Sequence, residues 1–414
     1  MNVLHLNTWG GIGGAFITSD RLHRALRQAG IESAYAYGRA LNGSDGYLQG
    51  LAHYHKLDQR QNLAELGLTK ISRKVGLNDI TRLSTFRLPQ HPFFQAATVL
   101  NFHNLHSDYF SYLALPKLTT LKPAVWTLHD MWSVTGHCAY SYHCTRWQTG
   151  CGNCPALAEE PMVARDATSL EWRLKAWAYG HAKLKIVAPS RWLKQQAAQG
   201  LLSRFDIHHI PYGIDTQLYR PLDPQQCRAM LGISPGKRVL MFGAQSVINT
   251  RKGGDLLFEA LKELPSDIKR DTALLTFGSG NSQQLKTLGM ETIELGYVSS
   301  DRLKAMLYSA ADIFVFPTRA DNLPLVLQES LACGTPIVSF SVGGVPDMVR
   351  PGITGLLAKP ADAADLREKI LQLLADSTSR NRMRDRCREI ALAEYTIELQ
   401  RDRYIELYEQ LLKD

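Results

Sequence analysis

Two acidic side chains, Asp321 and Glu329, stand eight positions apart in the run Phe316-Pro317-Thr318-Arg319-Ala320-Asp321-Asn322-Leu323-Pro324-Leu325-Val326-Leu327-Gln328-Glu329-Ser330-Leu331-Ala332-Cys333-Gly334. The apolar start reads as a strand ending at Pro317, followed by a polar loop and a helix from about Pro324. Amides at the start of such a helix bind phosphate or sugar hydroxyls. The two carboxylates could then hold two hydroxyl-bearing parts of one ligand. Spacing alone favours a helix-capping Asp and a solvated Glu. Upstream, Phe242-Gly243-Ala244-Gln245 is followed by Arg251-Lys252-Gly253-Gly254-Asp255, where two cations precede a helix. Cations placed there stabilise a leaving group that gains negative charge. Taken alone, they are also ordinary surface cations.

The first half of the chain offers three further clusters. Gly10-Gly11-Ile12-Gly13-Gly14 follows a strand and precedes a helix. It lacks the third glycine of the dinucleotide fingerprint, and the strand near Tyr37-Gly38-Arg39 carries no acid for a ribose, which argues against a nicotinamide enzyme. His103-Asn104-Leu105-His106 and Thr127-Leu128-His129-Asp130 place imidazoles at strand ends. Cys138, Cys144, Cys151 and Cys154 are spaced C-x5-C-x6-C-x2-C, with His137 and His143 beside them. Four thiols so close can bind zinc tetrahedrally, with no open position for catalysis; free buried thiols or a redox pair are the alternatives.

The run around Asp321 and Glu329 resembles the acidic loop-helix signature of retaining GT-B glycosyltransferases of family 4. Gly334-Thr335-Pro336-Ile337-Val338, Gly343-Gly344-Val345-Pro346-Asp347 and Gly352-Ile353-Thr354-Gly355 continue the likeness. Two departures stand out: Asp321 and Asp347 occupy positions where the family usually has Glu. The resemblance implies that Glu329 accepts hydrogen bonds from the nucleotide ribose and that Asp321 contacts hydroxyls of the donor sugar. It implies that the backbone of Asn322, Leu323, Pro324, Leu325 and Val326 cradles sugar and diphosphate. Lys252 matches the family lysine that neutralises the diphosphate. The usual arginine after Gly243 is replaced by Ala244, and Arg251 is the substitute at hand. Gly13 and Gly14 would lie against donor phosphate and acceptor. His129 resembles the histidine near the anomeric centre, giving His129, Asp321 and Lys252 as the catalytic set. His103, Asn104 and His106 are acceptor-side candidates. The cysteine segment resembles an insertion in a polysaccharide-synthesis branch that includes colanic-acid-type transferases.

These motifs need scaffolds. Strands are expected at Val3–Asn7, Ser33–Tyr37, Thr98–Phe102, Ala124–Leu128, Lys185–Ala188 and Ile207–Ile210, then at Arg238–Phe242, Ala273–Phe277, Ile313–Phe316 and Pro336–Phe340, with helices between. Such alternation implies α/β architecture with parallel sheets. The pattern is interrupted by Pro211, Gly213, Pro221 and Pro224. The expected organisation is therefore two domains, 1–215 and 216–394, which the resemblance makes the acceptor-binding and the nucleotide-sugar domain. By resemblance these are two facing Rossmann-like domains of GT-B type with a cleft between them, and the helix over 395–414 returns to the first.

The 414 residues suit two domains. Residues 1–215 hold 22 Lys+Arg against 14 Asp+Glu, while 216–414 hold 25 of each, so the excess of +8 lies in the first half. No nucleic-acid motif accompanies it. Lys56, Arg60, Lys70, Arg73, Lys74, Arg82 and Arg87 alternate with Leu63, Leu66, Ile71 and Val75, a pattern of either an anionic-membrane face or a solvated face over an inward apolar stripe. Met1-Asn2-Val3-Leu4-His5-Leu6 lacks the basic region of a secretory signal, and no apolar run is of membrane-spanning length, so the expected location is cytoplasmic, peripheral at most on the inner membrane face. Asp-x-Asp occurs nowhere, which favours metal-independent chemistry. The expected activity is retaining hexosyl transfer from a UDP- or GDP-sugar to a glycan or lipid-linked acceptor in polysaccharide biosynthesis, with no catalytic cofactor and a possible structural zinc. A nucleotide-sugar 2-epimerase and a non-catalytic glycan-binding protein are the alternatives.

Overall fold

The computed structural model describes residues 1–11, 13–40, 51–57, 63–246, 249–280 and 287–413. The chain divides into two compact units, Met1–Gly213 with Ile397–Asp414, and Ile214–Thr396. Arg60 and Ile12 lie outside the described residues.

The first unit is built on seven parallel strands: β1 (Asn2–Gly10), β2 (Glu32–Ala40), β3 (Tyr54–Lys56), β4 (Val99–Phe102), β5 (Ala124–Thr127), β6 (Lys185–Ala188) and β7 (Ile207–His209), in the order β3-β2-β1-β4-β5-β6-β7. The second has six: β8 (Arg238–Ser246), β9 (Thr272–Ser279), β10 (Glu291–Glu294), β11 (Ile313–Phe316), β12 (Ile337–Phe340) and β13 (Gly355–Ala358), in the order β10-β9-β8-β11-β12-β13. Each order reverses beside its first strand, between β1 and β4 and between β8 and β11. Ligands of doubly wound sheets bind beyond the carboxyl ends of the strands at that reversal.

The central strands are apolar on both faces because helices cover both. All four residues of β4, β5, β11 and β12 are buried. β1 and β2 run further than their apolar cores indicate, pairing Trp9 with Arg39 and Gly10 with Ala40. Gly10 is thus strand rather than loop. The strands absent from the sequence reading, β3, β10 and β13, are sheet edges of three or four residues. Short, partly polar edges carry little periodic signal.

The last helix, Ile397–Leu411, belongs to the first unit. Tyr404, Leu407 and Tyr408 pack with Val3, Leu22, Val99 and Val125. The Tyr404 hydroxyl lies 2.8 Å from that of Thr127, and the Tyr408 hydroxyl accepts from the Asn101 amide at 2.7 Å. These bonds satisfy polar groups in an otherwise apolar contact.

Candidate active site

In the second unit the site forms beyond β8 and β11. The turn Thr250–Lys252 follows β8 and leads into the helix Gly254–Lys262. Gly253 between them has φ 73°, and a Cβ there would stand 1.8 Å from the Pro317 carbonyl oxygen. Only glycine permits this approach. The Arg251 carbonyl accepts the Arg319 amide at 2.8 Å and the Thr318 hydroxyl at 3.0 Å, tying the two loops together. Arg319 makes a two-pronged contact with Asp255 at 2.6 and 2.7 Å.

This junction brings Asp321 to both cations. Its Oδ2 accepts from Lys252 Nζ at 2.5 Å and from Arg251 at 3.1 Å. Burial alone would raise the Asp321 carboxyl, but Lys252 and Arg251 overcome it and hold the group below its usual range. Burial lowers the Lys252 ammonium, and Asp321 offsets part of that shift. Behind Asp321, Gly343 has φ 52°, and a Cβ there would meet the Asp321 carbonyl oxygen at 2.0 Å. The Gly344 amide donates to that oxygen at 3.1 Å. Side chain and backbone of Asp321 are therefore fixed independently.

Glu329 lies on the helix Leu325–Ala332 and is buried. Its Oε2 accepts from the Tyr308 hydroxyl at 3.0 Å. Burial and the neighbouring Glu329 push the Tyr308 phenol well up, so it stays a donor. Pro324 at the helix N-terminus makes no side-chain cap, and Asn322 and Leu323 are buried just before it.

In the first unit, His5, His103, His129 and Tyr212 form a hydrogen-bonded row. His5 Nδ1 and His103 Nε2 are 3.0 Å apart, as are His103 Nδ1 and His129 Nε2. His129 Nδ1 is 2.7 Å from the Tyr212 hydroxyl. Burial drives His5 down to about 3 and His129 to about 4, so the rings are neutral near pH 7. Each neutral imidazole then donates once and accepts once. Both nitrogens of His103 and of His129 are spoken for, and His103 is buried. A ligand that hydrogen-bonds His129 must therefore displace Tyr212 or His103. His106 is half-buried, with Nδ1 2.8 Å from the Ser107 hydroxyl and Nε2 3.3 Å from Asp130. The Asn104 carbonyl accepts from Thr8 and Tyr109. Gly13 (φ 87°) opens the helix Gly14–Gln28, and a Cβ on Gly13 or Gly14 would meet nothing within 4 Å.

Residues 12–218 match the family model described as Glycosyltransferase Family 4, and residues 228–390 match the one described as Glycosyl transferases group 1. The chain belongs to glycosyltransferase family 4. It is 27% identical over 362 residues to the putative colanic acid biosynthesis glycosyl transferase WcaC of Escherichia coli, covering 82% of this chain and 83% of that one. It is 34% identical over 184 residues to a D-inositol 3-phosphate glycosyltransferase of Catenulispora acidiphila, spanning 41% of this chain and 44% of that relative. The fold matches a sucrose-phosphate synthase of Thermosynechococcus elongatus with TM-score 0.73 at 19% identity, all of both chains being covered. Anabaena HepE in complex with UDP and glucose matches with TM-score 0.70 at 17% identity over 99% of this chain and 100% of that one. These likenesses establish the GT-B fold.

In this glycosyltransferase the four spaced cysteines, together with His137, line one small cavity. Cys151 Sγ accepts the Gly136 amide at 3.2 Å, and His137 Nε2 lies 3.4 Å from Cys154 Sγ. Among the described residues no three ligating groups converge at metal-binding distance. Tyr308, Tyr212, His5 and the Arg319–Asp255 pair were invisible to the motif reading. Tyr308 sits on a helix 21 residues before Glu329, and nothing in its local sequence marks it.

Proposed function

We propose that the chain transfers a hexose from a UDP- or GDP-sugar to a hydroxyl of a glycan or lipid-linked glycan in polysaccharide biosynthesis, with retention of anomeric configuration. The observation that carries this reading is the Lys252–Asp321–Arg251 cluster beyond β8 and β11, with buried Glu329 one helix turn further on. A donor diphosphate takes Lys252 and Arg251 from Asp321, whose freed carboxylate then meets sugar hydroxyls. Glu329, oriented by Tyr308, accepts from the ribose. As the glycosidic bond breaks, charge grows on the diphosphate, and the two cations stabilise it without a catalytic metal. No side chain serves as covalent nucleophile; the leaving diphosphate takes the acceptor proton. His129 stands on the acceptor side, positioned by His103 and His5. The full-length likeness to a relative named for colanic acid biosynthesis supports the polysaccharide assignment.

Two structural features accompany this reading. Cys138, Cys144, Cys151 and Cys154 hold a structural zinc once their side chains turn into the cavity they share. No described helix is long and apolar enough to cross a membrane. The helix Leu63–Lys74 rests instead on an anionic membrane face, in the cytoplasm, because Leu63, Leu66, Leu68 and Ile71 point outward beside exposed Lys70, Arg73 and Lys74.

The test is incubation with UDP- and GDP-sugars and a glycan acceptor. Free UDP or GDP together with an extended glycan supports transfer; an epimerised donor or an unchanged donor overturns it. Glu329→Ala removes charged hydrogen bonds worth about 1.5–3 kcal/mol each, so donor affinity should fall at least about tenfold.

A further inference from the structure

The first unit holds a cavity of about 730 Å³ that contains none of the candidate site residues named from the sequence. That is a ligand-sized volume. Its walls come from carboxyl ends of the sheet. Arg39 is next to last in β2, Ser107 and Asp108 follow β4, and the segment 157–164 lies between β5 and the helix Thr168–Gly180. Arg73 and Asp79 complete the charged lining.

Asp79 carries the argument. Its side chain is 2% exposed, and Oδ1 accepts the Asp108 amide at 2.6 Å. Its Oδ2 is buried and has no hydrogen-bond partner among the described residues, while the Ser107 amide also acts on this carboxyl. A buried carboxylate oxygen without a donor is costly and rare. Arg39 lies near enough to act on the Asp79 carboxyl, and forms no ion pair with a described residue. Arg73 pairs with Asp108 across the lining. A donor is missing at Asp79 and an acceptor at Arg39, on the same wall.

Neighbouring sugar hydroxyls supply both, since one can donate to Asp79 while the next accepts from Arg39. An anionic ligand fits less well, because Asp79, Asp108 and Glu160 oppose Arg39 and Arg73. Leu157, Pro161, Met162 and Val163 give the cavity an apolar side for the C–H face of a pyranose. The backbone is specialised as well. Asp79, Ser107 and Asp108 have φ of 57°, 73° and 58°, three of the seven non-glycine residues with positive φ among those described. Such conformations persist where surrounding structure enforces them. Gly38 contributes by its bareness: a Cβ there would lie 2.3 Å from Tyr109 Cβ, so glycine lets the 107–109 loop close on β2.

We propose that this cavity is a subsite for a neutral sugar ring of the acceptor, with Asp79 Oδ2 accepting from one hydroxyl and Arg39 donating to its neighbour. The inference rests on the transferase reading above and adds where the acceptor is recognised and by what chemistry. Saturation-transfer NMR on the full chain, with methyl glycosides of glucose, galactose and fucose and with glucose 1-phosphate, tests it. At least one neutral glycoside should receive magnetisation, and Arg39→Ala and Asp79→Asn should each weaken the effect at least fivefold. Melting curves show whether each variant is folded; should Asp79→Asn not fold, Arg39→Ala alone decides. No transfer to any neutral glycoside, transfer to the phosphorylated sugar alone, or signals indifferent to Arg39→Ala would overturn the assignment. A thermal shift with UDP or GDP reads the second unit separately. Its absence would sink the donor reading while leaving the glycoside result to be judged by itself.

Discussion

Lys252 Nζ stands 2.5 Å from Asp321 Oδ2, so the cation expected to meet the donor diphosphate is already neutralised by the acid expected to meet the donor sugar. The pair is half of a competition. On the proposed reading, the diphosphate displaces Asp321 before Lys252 and Arg251 hold it, and displacement frees Asp321 for sugar. Removing the charge at 321 should uncouple these two events. Asp321→Asn should bind UDP or GDP about three- to tenfold more tightly, a gain of about 0.7–1.4 kcal/mol, while sugar transfer falls by more than about tenfold. Titration calorimetry beside turnover assays reads both. Equal losses of nucleotide affinity and turnover would mean that Asp321 does not act as an internal counter-ion.

Gly253→Ala should damage the same place through the backbone. The new methyl would meet the Pro317 carbonyl at 1.8 Å, at a φ of 73° that alanine resists. Forcing the two loops apart should cost about 1–3 kcal/mol or more of stability and shift Lys252 away from Asp321. Urea unfolding measures the first effect, and nucleotide affinity the second. A variant with wild-type values in both would show that the Gly253–Pro317 approach is dispensable.

The legibility of this protein in its sequence follows the range of the interactions. Phe316–Gly334 was readable because strand, loop and helix are contiguous, and Asp321 and Glu329 belong to one local unit. The cations at 251 and 252 were visible as residues, but not that Asp321 would claim them across about seventy positions. Tyr308 and Tyr212 act through tertiary contacts that no local pattern encodes. The same holds for the Arg39–Asp79 wall, drawn from a strand end and a loop forty residues later. Edge strands such as Glu291–Glu294 escaped because half-exposed strands need no apolar run.

The buried imidazoles give the fold a dependence on pH. Burial holds His5 near 3 and His23 near 2, against about 6.5 in an unfolded chain. Between about pH 6.5 and 4 the unfolded state binds protons that the folded state refuses. The histidine contribution to stability therefore rises with pH in this window and falls on acidification, opposed by Asp79 and Glu171, whose carboxyls burial pushes up to about 6 and about 8. The slope approaches about 1.4 kcal/mol per pH unit for each histidine, or about 3 for the two together. Urea unfolding at pH 7, 6 and 5 should show this loss above the range where most carboxylates titrate, and His5→Asn should flatten it. A pH profile that His5→Asn leaves unaltered would contradict the burial of this ring.

Zinc at the cysteine cavity is checked by composition. Purified protein should carry about one zinc per chain, and Cys151→Ser with Cys154→Ser should lose it and fold poorly, since structural zinc contributes directly to folding. Turnover should survive mild EDTA, because the proposed chemistry uses no metal. Metal-free protein whose four thiols titrate freely under native conditions would leave the cavity a cluster of ordinary cysteines.

The proposed membrane face offers the sharpest contrast with the inward-packing alternative. On the helix Leu63–Lys74 and just beyond it, Leu63, Leu66, Leu68, Ile71 and Val75 are 88, 40, 49, 62 and 45% exposed. An inward stripe would have buried them. Their neighbours Lys70 and Lys74 are exposed cations, while Glu65 on the same helix is buried and accepts the Leu83 amide at 3.0 Å. The outer surface is thus apolar and positive. Each cation near an anionic bilayer contributes about 1 kcal/mol, and the apolar side chains add about 25 cal/mol for each Å² they bury in lipid. In flotation assays the protein should rise with vesicles containing phosphatidylglycerol and not with neutral vesicles, and salt should weaken the effect within the Debye range. Lys70→Glu with Lys74→Glu should abolish flotation, and Leu63→Ser with Ile71→Ser should reduce it at unchanged charge. The charge pair leaves Arg73 and its cavity intact, so lost flotation with preserved glycoside binding separates membrane docking from acceptor recognition. Equal behaviour on neutral and anionic vesicles would assign this exposed face to something other than lipid.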